Sequence, residues 1–119
     1  MMQRIYAIEG AGLVKIGRSF APELRLSTMQ THSPVILTML GYVKGDHVKE
    51  RSLHKKFRAY RVHGEWFRND GAVKDWIAKA FENWKPAAGY SATIFDASAT
   101  AFPLRRHVVE RSGRLEVAA

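Results

Sequence analysis

A phenol, an amine, a guanidinium and a carboxylate stand at Tyr6, Lys15, Arg25 and Glu50, with His54 four residues after the acid. Groups of these types can make up a phosphodiester-cleaving site. Hydrolysis at phosphorus needs an activated water, neutralisation of charge and help for the leaving oxygen. One carboxylate can hold a Mg²⁺ or Mn²⁺ ion while waters fill its remaining positions, and Glu50 is the carboxylate of this set. Arg25 carries a fork of donors matched to phosphate oxygens. Tyr6 is the candidate general base, or the group that positions the attacking water. A phenol titrates at about 10 and is a poor base unless a neighbouring cation favours its phenolate. Lys15 is the candidate for that cation. His54 can orient the acid, bind phosphate or move a proton. Each residue also has a plainer reading. Glu50 fits a helix-face ion pair to His54 or Arg61, Arg25 an exposed helix arginine, Tyr6 a packed strand aromatic, and His54 a satisfied core side chain.

The elements that must position these groups are legible in part. Residues 4–8 and 13–17 are β-prone runs separated by Glu9-Gly10-Ala11-Gly12, a hairpin signal. With Gly10-Ala11 at the tip, Tyr6 lies opposite Lys15 and shares its face, while Ile5, Ala7, Val14 and Ile16 form an apolar face behind them. A helix start follows at Ser19–Glu23, with proline in the first turn and an acid favoured by the dipole. That helix carries Leu24, Arg25, Leu26 and Met29 until Thr31-His32-Ser33-Pro34 breaks it. The continuous apolar run 35–43 reads as a central strand covered on both faces. Asp46 is the expected cap of a second helix reaching about Tyr60, with Glu50, Leu53, His54, Phe57 and Arg61 on one side. Gly64-Glu65-Trp66-Phe67 reads as an aromatic turn. In it Glu65 ties down the backbone, and Trp66 and Phe67 read as core rather than as base-stacking residues. A third amphipathic helix covers 70–84 with Val73, Trp76, Ile77, Ala80, Phe81 and Trp84 inward. Beyond Lys85-Pro86 the composition shifts to Ala, Ser and Thr, and a small hairpin around Ser112-Gly113 is the one element expected there.

At 119 residues the chain has room for one domain and an extension, and 46% apolar with 25% charged residues is ordinary globular usage. The lack of cysteine excludes disulfides, thiolate catalysis and sulfur-based zinc sites. No apolar run approaches a membrane span, and the first residues move straight into a strand pattern without a signal-like segment, so a cytoplasmic location is expected. Charge is more telling. A formal net charge of +8 and a pI of about 10.1 favour polyanions, chiefly nucleic acid. Between Lys44 and Arg68 eight basic residues stand against three acidic ones. Arg18, Lys49, Arg51, Lys55, Arg58 and Arg61 are the candidate nucleic-acid contacts, with a solvated helix face as the plainer reading.

The order strand, glycine-rich turn, strand, helix with arginine, strand, helix with glutamate and aromatic turn resembles the GIY-YIG endonuclease superfamily. It is most similar to the branch typified by a phage T5 reading frame and the meiotically up-regulated gene 113 type. Residues 4–77 carry the likeness. Arg4-Ile5-Tyr6 corresponds to the first family tripeptide and Lys15-Ile16-Gly17 to the second, Arg25 to the helix arginine, Glu50 to the helix acid, and Gly64-Glu65-Trp66-Phe67 to a hallmark of the branch. Arg4 replaces the first glycine and Lys15 the second tyrosine, and Asn69 is the nearest counterpart of the late asparagine. The resemblance implies an α/β (α+β) fold, a three-stranded mostly antiparallel sheet flanked by helices, over residues 1–84, with 85–119 as an extension. It further implies a Mg²⁺- or Mn²⁺-dependent endonuclease that nicks DNA, Glu50 being its metal ligand. RNA is the alternative substrate, and a homodimer is one route to cutting both strands. The competing expectations are a catalytically silent nucleic-acid-binding module that uses the same basic face, and an interaction protein whose charge confers only solubility.

Overall fold

A computed structural model describes residues 2–94. Met1–Lys85 form one unit and Pro86–Ala119 a second, of which residues 86–94 are described as turns and irregular chain. The hairpin expected around Ser112-Gly113 lies outside the described residues. The first unit holds β1 (Arg4–Gly10), β2 (Leu13–Ser19), α1 (Pro22–Thr31), β3 (Thr38–Lys44), α2 (His47–Lys56), a 3₁₀ turn at Arg58–Tyr60, β4 (Arg61–His63), β5 (Trp66–Arg68) and α3 (Gly71–Ala80).

The sheet has five antiparallel strands in the order β3-β1-β2-β5-β4, not the three expected. The two additional strands are only three residues each, and they flank the segment expected to be a simple aromatic turn. Strands this short leave almost no alternation to read. β3 begins at Thr38 and lies at an edge rather than at the centre, while Val35 and Ile36, expected within it, are exposed. The apolar run is the lead-in to an edge strand. Buried Gln30 holds it, its amide donating to the Val35 carbonyl (2.9 Å) and its oxygen accepting from the Leu37 N–H (2.7 Å).

β1 and β2 pair two residues out of the expected register, with Tyr6 opposite Gly17 and Ile8 opposite Lys15. The tip is Ala11-Gly12, both at positive φ (53° and 80°), the combination that a two-residue hairpin turn of the right twist requires. The Glu9 carboxylate closes the turn by accepting the Gly12 N–H at 3.0 Å. A shift of two preserves facing, so Ile5, Ala7, Val14 and Ile16 still lie on one side, fully buried with Leu53, Phe57, Phe67, Val73 and Phe81 from the elements packed there. α1 packs against β1, β2 and β3. Tyr6, Ile8, Leu26, Leu37 and Met39 are also buried, Tyr6 and Ile8 on the opposite face of β1 from Ile5 and Ala7.

Helix starts follow local rules. Pro22 and Glu23 open α1, and the Asp46 carboxylate caps α2 by accepting the Val48 and Lys49 N–H groups at 3.1 Å each. At α3 the side chain of Asp70 makes no cap; the Tyr60 hydroxyl accepts the Ala72 N–H instead (3.2 Å). α2 stops at Lys56, so Arg61, expected on its inward face, lies in β4. Phe57 is fully buried where α2 ends, and its ring is 5.9 Å from that of Trp76. Phe57→Ala should lower unfolding free energy by about 3–5 kcal/mol, the range for deleting a core aromatic ring. Urea titration of the full chain measures it, and a loss under about 1 kcal/mol would contradict this packing.

Candidate functional site

β5 pairs with β2 only as far as Lys15, so the far half of β2 has no partner strand on that side. There the backbone of Ile16 is met by two other elements. Its N–H donates to the Glu65 carbonyl at 3.0 Å, and its carbonyl accepts from His54 Nε2 at 2.7 Å. A carbonyl only accepts, so the proton sits on Nε2 and the imidazole is oriented by the sheet edge. His54 also lies against the Phe67 ring, centroids 5.3 Å apart.

This notch gathers the chemistry. Glu50 and His54 reach it from α2, and Glu65 from the β4–β5 hairpin. One ligand atom from each lies within 4.8 Å of the others, and all three residues are half-buried. Two carboxylates and an imidazole whose second nitrogen is engaged by a backbone carbonyl suit a divalent cation, since ligating histidines are usually fixed in that way. Each acid also has a counter-cation: Glu50 accepts from Arg18 Nε (3.2 Å), and Glu65 pairs with Lys15 Nζ (3.0 Å).

Tyr6 shares the site. Its backbone partner Gly17 has no side chain, and a Cβ there would overlap the Tyr6 hydroxyl and stand 3.1 Å from Glu65 Oε1. The glycine makes room for the phenol and the acid to approach. Burial pushes the Tyr6 hydroxyl above its ordinary pKa, the Arg25 guanidinium pulls it down by hydrogen bonding and charge, and Glu65 and Glu50 push it up. The cation that favours the phenolate is therefore Arg25, not Lys15, whose ammonium is bound to Glu65. Arg25 itself is exposed on α1 and open to solvent anions.

A second tyrosine titrates high for a different reason. The Tyr42 hydroxyl is partly buried and donates to the Glu23 carboxylate, and its pKa is pushed up to about 12. Both phenols hold their protons more tightly folded than unfolded, so above pH 10, where the unfolded chain starts to lose them, folding stability must fall. Stability measured by urea titration should decline from pH 10 to 12, and Tyr42→Phe should flatten part of that decline. A decline unchanged in that variant would show that Tyr42 is not a source of it.

Sequence reasoning placed Tyr6, Arg25, Glu50 and His54 on the right elements, and they converge here. Lys15 lies beside them, although opposite Ile8 rather than Tyr6. Arg18, Lys49, Arg51, Lys55 and Arg58 are exposed along the end of β2, α2 and the turn after it. Arg61 is exposed on β4, its guanidinium donating to the Gly64 carbonyl at 2.6 Å. The ion pair expected of Glu50 with His54 or Arg61 is made with Arg18. Glu65 was missed as a site residue. Its place in the Gly64–Phe67 hallmark was the available signal, but only the hairpin geometry carries its carboxylate to Glu50 and His54.

An exposed arginine, a buried phenol and a carboxylate–imidazole–carboxylate cluster thus lie beside a basic helix face. The family model described as the T5orf172 domain matches residues 3–85, and the chain belongs to that family, which is associated with nuclease-type proteins of the GIY-YIG kind. Searches of the curated proteins and of the solved structures gave no match. Among the described residues no helix is long and apolar enough to cross a membrane.

Proposed function

We propose that this chain is a metal-dependent endonuclease of GIY-YIG type that nicks DNA. The observation that carries the reading is the meeting of Glu50, His54 and Glu65 beside the Tyr6 hydroxyl and Arg25. Glu50 and Glu65 would hold a Mg²⁺ or Mn²⁺ ion through carboxylate oxygens, with His54 as the nitrogen ligand. When bound, such an ion neutralises phosphate charge and lowers the pKa of a coordinated water. Arg25 binds the non-bridging phosphate oxygens. Tyr6 positions or deprotonates the attacking water, its high pKa making the rate climb with pH. The exposed cations Lys49, Arg51, Lys55 and Arg58 hold the flanking backbone, so affinity falls steeply with salt.

Supercoiled plasmid incubated with the full chain should be nicked in Mg²⁺ or Mn²⁺ and left intact with chelator. Cleavage that persists in chelator would rule out the metal reading. One feature supports a silent binding module instead: both acids are already neutralised, by Arg18 and Lys15. Under that reading, Mn²⁺ titration finds no site and plasmid is retarded on a gel without being cut.

A further inference from the structure

A row of cross-strand partners crosses the sheet from Ile8 through Lys15 and Trp66 to His63. Partners in such a row share a face, so Trp66 lies on the face of Tyr6 and Lys15, whereas its neighbour Phe67 points into the core. The indole is half-buried. It belongs neither to the core cluster nor to the side chains packed on it, which corrects its expected core role. No aromatic pair among the described residues includes it. The Lys15 ammonium stands 6.0 Å from the ring centroid on its way to Glu65, and His63 on the other side is exposed.

The Tyr6–Gly17 row lies two residues along β2, a rise of about 7 Å. A flat, partly open indole thus follows directly on Glu65 in the chain and lies on the same sheet face as Tyr6 and Lys15, flanked by a cation. Large apolar rings left off a core beside a phosphate-binding site are suited to stacking on bases, and a base can stack on a side chain only when it is unpaired or turned out of the duplex.

We propose that Trp66 is a stacking platform for one unpaired nucleobase next to the cleaved phosphate, so that the substrate is single-stranded or locally unpaired nucleic acid rather than continuous duplex. This deepens the nuclease reading and rests on it. Lys15 then serves the platform by standing over one face of the ring and bridging to Glu65, which leaves the other face for a base and gives the lysine a role apart from phenol activation.

The test compares binding of a mixed-sequence single-stranded DNA oligonucleotide and its duplex by the full chain in the Glu50→Gln background, so that nothing is cut. Trp66→Ala should weaken single-strand binding roughly tenfold or more, the scale for losing one stacked base, and leave duplex binding nearly unchanged. Trp66→Phe should keep most of the single-strand affinity. Indole fluorescence of the parent should be quenched by the single strand, and that quenching should vanish in Trp66→Phe even if Trp66→Ala proves unstable. Equal losses on both DNAs, or quenching that survives in Trp66→Phe, would overturn the stacking role while leaving the nuclease standing. Failure of the parent to bind either DNA, with plasmid still nicked by wild-type protein, would overturn the stacking role alone; failure to bind together with no nicking would overturn both readings.

Discussion

Glu50→Gln should remove metal-dependent nicking while nucleic-acid binding is retained or slightly strengthened. The amide keeps the size of the side chain but loses the charge that a divalent cation needs. A rate loss of roughly a thousandfold or more is expected, at least the scale on which removal of one transition-state contact is felt. The fold should survive. The amide fills the same volume and still offers an oxygen to the Arg18 guanidinium, which is 3.2 Å away and partly open to water. Binding is preserved because an acid facing a polyanion is replaced by a neutral group. Plasmid nicking and gel retardation on one protein preparation measure both. Nicking at the wild-type rate would remove Glu50 from the site, and loss of binding together with cooperative unfolding would show a structural defect instead.

Gly17→Ala should be nearly as damaging to activity, through geometry alone. Gly17 lies in β2, and the added methyl would meet the buried Tyr6 phenol and the Glu65 carboxylate at once. Tyr6 is 1% exposed and cannot swing away, so the hydroxyl and the acid must shift. Displacements of about 1 Å in a catalytic arrangement can cost about a hundredfold in rate. A drop of that size in kcat is expected, together with a stability loss of about 1–3 kcal/mol typical of overpacking, so the assay is run well below the variant's midpoint of thermal unfolding. The Ile16 backbone bonds to Glu65 and His54 do not involve a side chain at 17, so the notch itself should persist. Full activity in this variant would mean that the Tyr6–Glu65 approach is not part of the chemistry.

Local chemistry was legible in the sequence wherever a rule acts over a few residues. Pro22 and Glu23 marked the start of α1, Asp46 the cap of α2, and the alternation of Ile5, Ala7, Val14 and Ile16 the inward face of the hairpin. The helical period of Val73, Trp76, Ile77 and Ala80 marked the inward face of α3, and buried Phe81 follows at its end. Glu50 was conspicuous for the same reason, as a carboxylate on the apolar side of a helix, a position that requires a partner.

What the sequence left open depended on residues far apart in the chain. Hairpin register turned on Ala11 accepting a positive φ, and face parity survived the two-residue shift only because the strand period is two. The apolar run before β3 carried no mark of being at an edge; strand order is set by which partners complete the sheet. β4 and β5 are too short for alternation to reveal, yet the hairpin they form carries Glu65 to Glu50 and His54. The amino-acid sequence by itself determined the helices, the core faces, the basic charge and four of the chemical groups. Tertiary structure alone decided that Glu65 joins Glu50 and His54, that Arg18 and Lys15 neutralise the acids, and that Arg25 is the cation acting on Tyr6. The physical reason is range. Capping and periodicity act within a turn or two of chain, whereas a site made where β2 loses its partner strand exists only once the strands have paired.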